Sequence, residues 1–194
     1  HAANLLRACG TLGSNPRFLT LALASGITFN GMFLYVLSTP VFLGEHLKLA
    51  PGQFFWFFLL SIAGIMSGAF LSGRMAGRVK PSRQIRYGFL IMASVSIANF
   101  VLNLLFVPEA WWALLPIAIY SFGWAMMVPV VTLLVLDLMP ERRGMASSFQ
   151  ACIGSAANGF VAGVIAPLVM HSTVALAATS LAMMSVGVFA WLWV

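Results

Sequence analysis

The sequence predicts an all-α membrane protein of six transmembrane helices, and three observations predict it. Hydrophobic residues fill 61% of the 194 positions and charged residues 7%, a ratio that cannot make the surface of a water-soluble globule. Apolar stretches of about 20 residues, enough to cross a hydrocarbon core of about 30 Å, recur with short polar breaks between them. Five of the ten Lys and Arg residues crowd into one break, GRMAGRVKPSRQIR from Gly73. Each would cost about 2.5 to 3.5 kcal/mol at a bilayer centre, so that cluster lies in water.

A polar lead over residues 1–17 precedes the first span, which runs from about Phe18 to Leu43. GEHLKLAPGQ ends it, with Pro51 and Gly52 as breakers. The second span runs from about Phe54 to Gly73, and the third follows the basic turn from about Tyr87 to Val107. The link PEAWW leads to a fourth span that ends near Leu138, and Pro140 with Glu141, Arg142 and Arg143 marks the next turn. The fifth span occupies about Gly144 to Met170, and the sixth runs from beyond Thr173 to Val194. Arg7, Arg17, the five basic residues of the long turn, Arg142 and Arg143 then share one side, with Lys48 alone on the other. The positive-inside rule places that side, and both chain ends, in the cytoplasm.

The net charge of +6 is thus carried by loops that orient the spans, and no nucleic-acid partner is expected. Cys9 and Cys152 have no metal-ligand spacing around them, so no metal, cofactor or disulfide is expected. HAANLLRACGTLGSNPR lacks the apolar core of a secretory signal and reads as the end of a linker from a longer chain. The domain reading is a linker end over 1–17 and a six-helix bundle over 18–194.

Small residues crowd the second span (Ala63, Gly64, Ser67, Gly68) and the fifth (Gly144, Ser147, Ser148, Ala151, Gly154, Ser155, Gly159). Such faces let helices approach closely, either within a bundle or against a partner half. Spans one and four are both interrupted by Gly or Pro, at Gly26, Gly31 and Pro40 and at Gly123 and Pro129, and each precedes a small-residue-rich span. Two three-helix units related by inverted topology follow from that pattern.

The basic turn resembles the cytoplasmic loop motif of the major facilitator superfamily, G-x-L-A-D-R-x-G-R-R. Gly73, Met75, Ala76, Arg78 and Ile85 match, whereas Gly77 replaces the motif's acidic residue and Lys80, Pro81 and Ser82 replace its later positions. FNGMFLYVLSTPVF from Phe29 and FGWAMMVPVVTLLVLDLMPERRGMASSFQ from Phe122 are similar to the C-terminal half of Bcr/CflA-type drug:proton antiporters. The resemblance implies a half-bundle of a twelve-helix multidrug efflux transporter in a bacterial inner membrane. Its partners would be the N-terminal six-helix half of the same polypeptide, the lipid bilayer, a small-molecule drug and protons.

Gly26, Asn30, Phe33 and Leu37 share one helical face, as do Tyr120, Trp124, Met127 and Val131, and the resemblance implies that spans one and four line the central cavity. Asn30, Phe33, Tyr120, Trp124 and Met127 are therefore the substrate-binding candidates, an aromatic and thioether wall suited to bulky apolar compounds. Met92, Ser96, Asn99 and Asn103 form a stripe in span three that must turn from lipid and bond between helices. Gln150 and Asn158 in span five are candidates for gating. So are Arg78 and Asp137, the latter pairing at the rim with Arg142, Arg143 or Arg78. No Asp, Glu, Lys or Arg lies mid-span, so the coupling carboxylate of a proton antiporter is expected in the other half.

Catalysis is not expected. An intramembrane serine protease needs a Ser and a His within reach inside the bilayer, but Gly64 to Gly68 reads GIMSG and both His46 and His171 fall at membrane edges. The remaining alternative is a self-contained six-span carrier or channel that oligomerises.

Overall fold

A computed structural model describes residues 2–193, which form helices and short connections with no strand among them. The lead folds as α1 (Ala2–Ser14), and Asn15 then starts α2 (Pro16–Leu37) by accepting the backbone N–H groups of Arg17 and Phe18 at 3.0 and 3.4 Å. Pro16 fits that first turn because its missing N–H would have had no partner there. The span continues past Pro40 as a widened π-helical turn, Pro40–His46. Pro40 cannot donate to Val36 O, and Thr39 Oγ1 takes its place at 2.6 Å.

The second and third spans are α3 (Phe55–Met75) and α4 (Pro81–Leu105). The third begins earlier than the expected Tyr87, because Pro81 is well suited to a first helical position and draws Arg83 and Arg86 onto the helix. The turn between them is thereby short, and Gly77 serves it at φ +76°, where a side chain would be strained. After α5 (Ala110–Ala113), the fourth span is α6 (Leu115–Asp137). The fifth is α7 (Arg143–Phe160), a π turn over Val161–Ile165 and α8 (Ala166–Val169). Pro167 in α8 cannot bond four residues back, and the preceding backbone widens so that Ala166 N–H reaches Val161 O. The sixth is α9 (Thr173–Trp193), and all six spans are long and apolar enough to cross a membrane. The protein is a multi-pass membrane protein.

Glycines decide how these helices meet. A Cβ on Gly64 or Gly68 would strike the backbone oxygen of Ala118 or Phe122, so α3 lies directly on the backbone of α6. Gly88 and Gly123 join α4 to α6, Gly187 admits Thr28 between α9 and α2, and Gly26 faces Gly154 Cα across the α2–α7 seam. The second member of each triplet thus packs on the first member of the other: α3 on α6, α7 on α2.

Gly31 is the junction of three spans. Its missing side chain leaves room for the Tyr120 phenol and the Ser180 hydroxyl, which donate to the oxygens of Thr28 and Gly31 respectively, the second at 2.8 Å. The polar stripe of α4 is buried as its pattern requires, but only Asn99 bonds between helices, its Nδ2 donating to Tyr35 Oη at 2.9 Å; Asn103 Nδ2 donates back to Asn99 within α4, and Ser96 Oγ has no partner among the described residues. Gln84, which no sequence pattern singles out, is 2% exposed and donates to Ser72 Oγ and Met126 O at 2.8 and 2.7 Å.

Overpacking at a backbone contact costs typically 1–3 kcal/mol. Gly64→Leu should therefore lower the thermal unfolding midpoint in detergent, whereas Gly73→Ala, with open space around it, should leave the midpoint unchanged.

Candidate functional site

The first, fourth and fifth spans bring a set of aromatic and amide side chains together on one side of the bundle. Phe29 stacks on Phe33 one helical turn away, with ring centroids 5.3 Å apart, and tilts against Trp124 at 5.0 Å. The Trp124 indole N–H donates to Ser25 O at 3.3 Å, and Gln150 Nε2 donates to Ser25 Oγ at 3.2 Å. Ser25 Oγ in turn donates to Ala22 O at 3.1 Å. Phe29, Phe33, Trp124 and Gln150 are all half-buried, so they form a fixed wall that still presents ring and amide surface outward.

Of the sequence candidates, the structure gathers Phe33, Trp124 and Gln150 here and turns the others elsewhere. Tyr120 is buried in the Gly31 junction, and Met127, fully enclosed, fills the α4–α6 seam against Gly88. A stripe at helical spacing spreads over an arc, and only its edge at Trp124 reaches the open side. The same geometry separates Phe33 from Asn30. The close contact of Gly26 with Gly154 turns that edge of α2 towards α7, and Asn30, 1% exposed, lies one turn further along it. Asn30 Nδ2 donates to Gly26 O at 2.8 Å, while its Oδ1 has no partner among the described residues. Asn158, one turn after Gly154, likewise has a buried Oδ1 without a partner.

Phe29 and Ser25 were missed. The i, i+4 spacing of Phe29 and Phe33 in FNGMF was a usable signal for the first; Ser25 acts through a backbone oxygen and a hydroxyl that no pattern marks.

At the rim, Arg143 Nη2 pairs with Asp137 Oδ1 at 3.0 Å, across a single turn. Of the partners considered, Arg142 points its guanidinium at Asn4 O, 3.4 Å away on α1, and Arg78 is exposed on the turn after α3. The pair therefore braces the α6–α7 turn and leaves Arg78 free of it.

Two kinds of surface surround this site. The outward face of α3 carries Phe55, Trp56, Leu59, Ile62, Met66 and Phe70, and that of α4 carries Leu90, Ile97, Val101 and Leu104, as a lipid-facing surface does. The outward face of α7 carries Gly144, Ser147, Ser148, Ala151, Cys152, Ser155 and Gly159. Small polar residues gain little from lipid and let another helix come close.

A family model described as Major Facilitator Superfamily matches residues 2–167. No curated protein matches the chain.

Both members of the rim pair are more than half exposed, at 53% and 59%, so water screens their attraction. Asp137→Asn should cost less than about 1 kcal/mol of stability, and raising the salt concentration should erase the difference between variant and parent in thermal unfolding.

Proposed function

The chain belongs to the major facilitator superfamily, and on that premise we propose that it is the C-terminal six-helix half of a Bcr/CflA-type multidrug efflux transporter. The reading rests above all on the wall made by Phe29, Phe33 and Trp124, with the Gln150 amide beside it. An aromatic face of that kind holds bulky, largely apolar compounds without demanding one shape, and a neighbouring amide orients those that carry a polar group. The N-terminal half would close the other side of the cavity and cover the small-residue face of α7. Rocking of the two halves would then expose the substrate to each side of a bacterial cytoplasmic membrane in turn, with both ends of this chain in the cytoplasm.

The packing of α3 on α6 and of α7 on α2 agrees with two inverted three-helix units. Glycine-lined seams of that kind let one unit pivot on the other while backbone contact is kept. Arg78, exposed on its turn, would meet the partner half at one end of the cycle. Asp137 would contribute by bracing the turn that leads into α7, and Gln150 and Asn158 lie on the helix that must move against that partner. Protons would drive export through a carboxylate of the other half, since α2, α3, α4, α6, α7 and α9 carry no acidic or basic residue near their middles.

The natural gene, expressed in a drug-sensitive bacterium, should raise resistance to several apolar compounds, and collapse of the proton gradient should remove that protection. Export that survives an uncoupler would refute proton coupling. Trp124→Ala should weaken export of some compounds roughly two- to tenfold, the worth of one aromatic contact, and leave others unchanged. The α7 face would also suit a second copy of a self-contained six-span carrier. The transporter's mass in native detergent complexes, compared with the length of its gene product, separates the two.

A further inference from the structure

A second cavity lies where α4 gives way to α5, at the end of the third span opposite the basic turn that holds Arg74 and Arg78. Its volume is about 500 Å³, inside the range of small-ligand sites. Phe106 closes the last turn of α4 by donating its N–H to Leu102 O at 2.9 Å, and the chain then extends through Pro108 to Glu109. Glu109 O accepts the N–H groups of Trp112 and Ala113 at 3.2 and 2.8 Å, which turns the chain back. Leu102, Phe106, Val107, Glu109, Trp111 and Trp112 line the space so formed.

That lining favours one sign of charge. Phe106, Trp111 and Trp112 supply aromatic surface, and Glu109 is the one lining residue with a formal charge. The Trp111 indole N–H donates to Glu109 Oε2, which holds a ring edge beside the carboxylate and leaves Oε1 without a partner among the described residues. No Lys or Arg neutralises it, since the ion pair found among the described residues joins Arg143 to Asp137. Glu109 is exposed, so a ligand can reach it. A carboxylate beside aromatic rings suits an ammonium group, whose charge is drawn to both and whose carbon substituents gain from contact with the rings.

The surroundings decide what carries the ammonium. Leu104, Leu105, Phe106 and Val107 are all more than half exposed, so apolar surface continues from the cavity onto the lipid-facing side of α4. Trp rings at the end of a span lie at the level of lipid headgroups. We infer that this cavity binds the ammonium headgroup of a phospholipid, choline or ethanolamine, with the nitrogen at Glu109 and the acyl chains along the end of α4. The phosphate needs no basic partner there, because it stays in water as it does throughout a bilayer. An anionic headgroup without an ammonium would meet Glu109 with like charge. The site is separate from the wall of Phe29, Phe33 and Trp124, and its occupancy does not depend on the efflux reading.

The test is native mass spectrometry of the natural protein released from maltoside micelles that contain equal amounts of chain-matched phosphatidylethanolamine and phosphatidylglycerol. The parent should retain phosphatidylethanolamine about fivefold over phosphatidylglycerol, as one exposed charge contact backed by aromatic rings allows. Glu109→Gln keeps an acceptor for the Trp111 indole and removes only the charge, so it should fold and retain the two lipids equally. Trp112→Leu should reduce the preference about twofold. Equal retention by the parent would overturn the proposal. A preference that survives Glu109→Gln would place the lipid on another surface and overturn it too. Dodecyltrimethylammonium carries a cation and a tail without the phosphate, and it should displace the lipid only in excess. Displacement by less than an equal amount would assign the cavity to a free cationic amphiphile and overturn the lipid assignment.

Discussion

Lipid gives two helices no hydrophobic reason to associate, so this bundle depends on backbones that touch. Gly64 and Gly68 place α3 against the oxygens of Ala118 and Phe122, and Gly26 and Gly187 do the same work on the two sides of α2. At such distances van der Waals contact is dense, and hydroxyl and amide groups reach carbonyls on the next helix. Gly31 shows both effects at once. Because it has no side chain, Tyr120 and Ser180 enter from α6 and α9 and share the carbonyls of α2. The first, fourth and sixth spans are thereby held at one level, and the aromatic wall one turn away inherits its position from them.

The same close approach decides which polar side chains are structural. Gln84 and Asn99 sit at seams where a partner is within reach, and their amides are bonded across helices. Trp124 and Gln150 stand at the edge of a seam, where one bond to Ser25 fixes each side chain and the rest of its surface stays open. A fixed but half-open side chain is what a binding wall needs, since little freedom is then lost when a ligand arrives.

Much of the fold was legible because the bilayer imposes a strict length and charge rule. The six spans fell where apolar runs and basic turns put them, and the third differed only where Pro81 started its helix early. The site was less legible. Phe33 and Trp124 were readable from helical spacing, but the same stripes also contained Asn30, Tyr120 and Met127. Sequence periodicity gives an arc of the helix and not the direction of its neighbour. Only the Gly26–Gly154 and Gly88–Met127 contacts show which edge of each arc is closed. Ser25 was invisible for a different reason: its backbone oxygen carries half of its part.

The faces of the bundle bear on how labour is divided in a transporter of this kind. α3 shows lipid large side chains, whereas α7 shows Gly, Ser, Ala and Cys over most of its exposed length. A helix of that composition in contact with lipid would gain little packing and expose hydroxyls to hydrocarbon, so its stable setting is against another helix. Asn30 on α2 and Asn158 on α7 lie on the inner side, at the seam between the two helices. Each keeps a buried oxygen without a partner near the α2–α7 seam. Asn99 on α4, by contrast, is bonded across its seam to Tyr35 Oη, although Ser96 Oγ on the same stripe is also buried without a partner among the described residues. The fifth span is also the least buried of the six, with a widened turn before Pro167 and an outer face of small residues. If the proposed transport cycle moves one helix of this bundle against a partner, these features favour α7 as that helix.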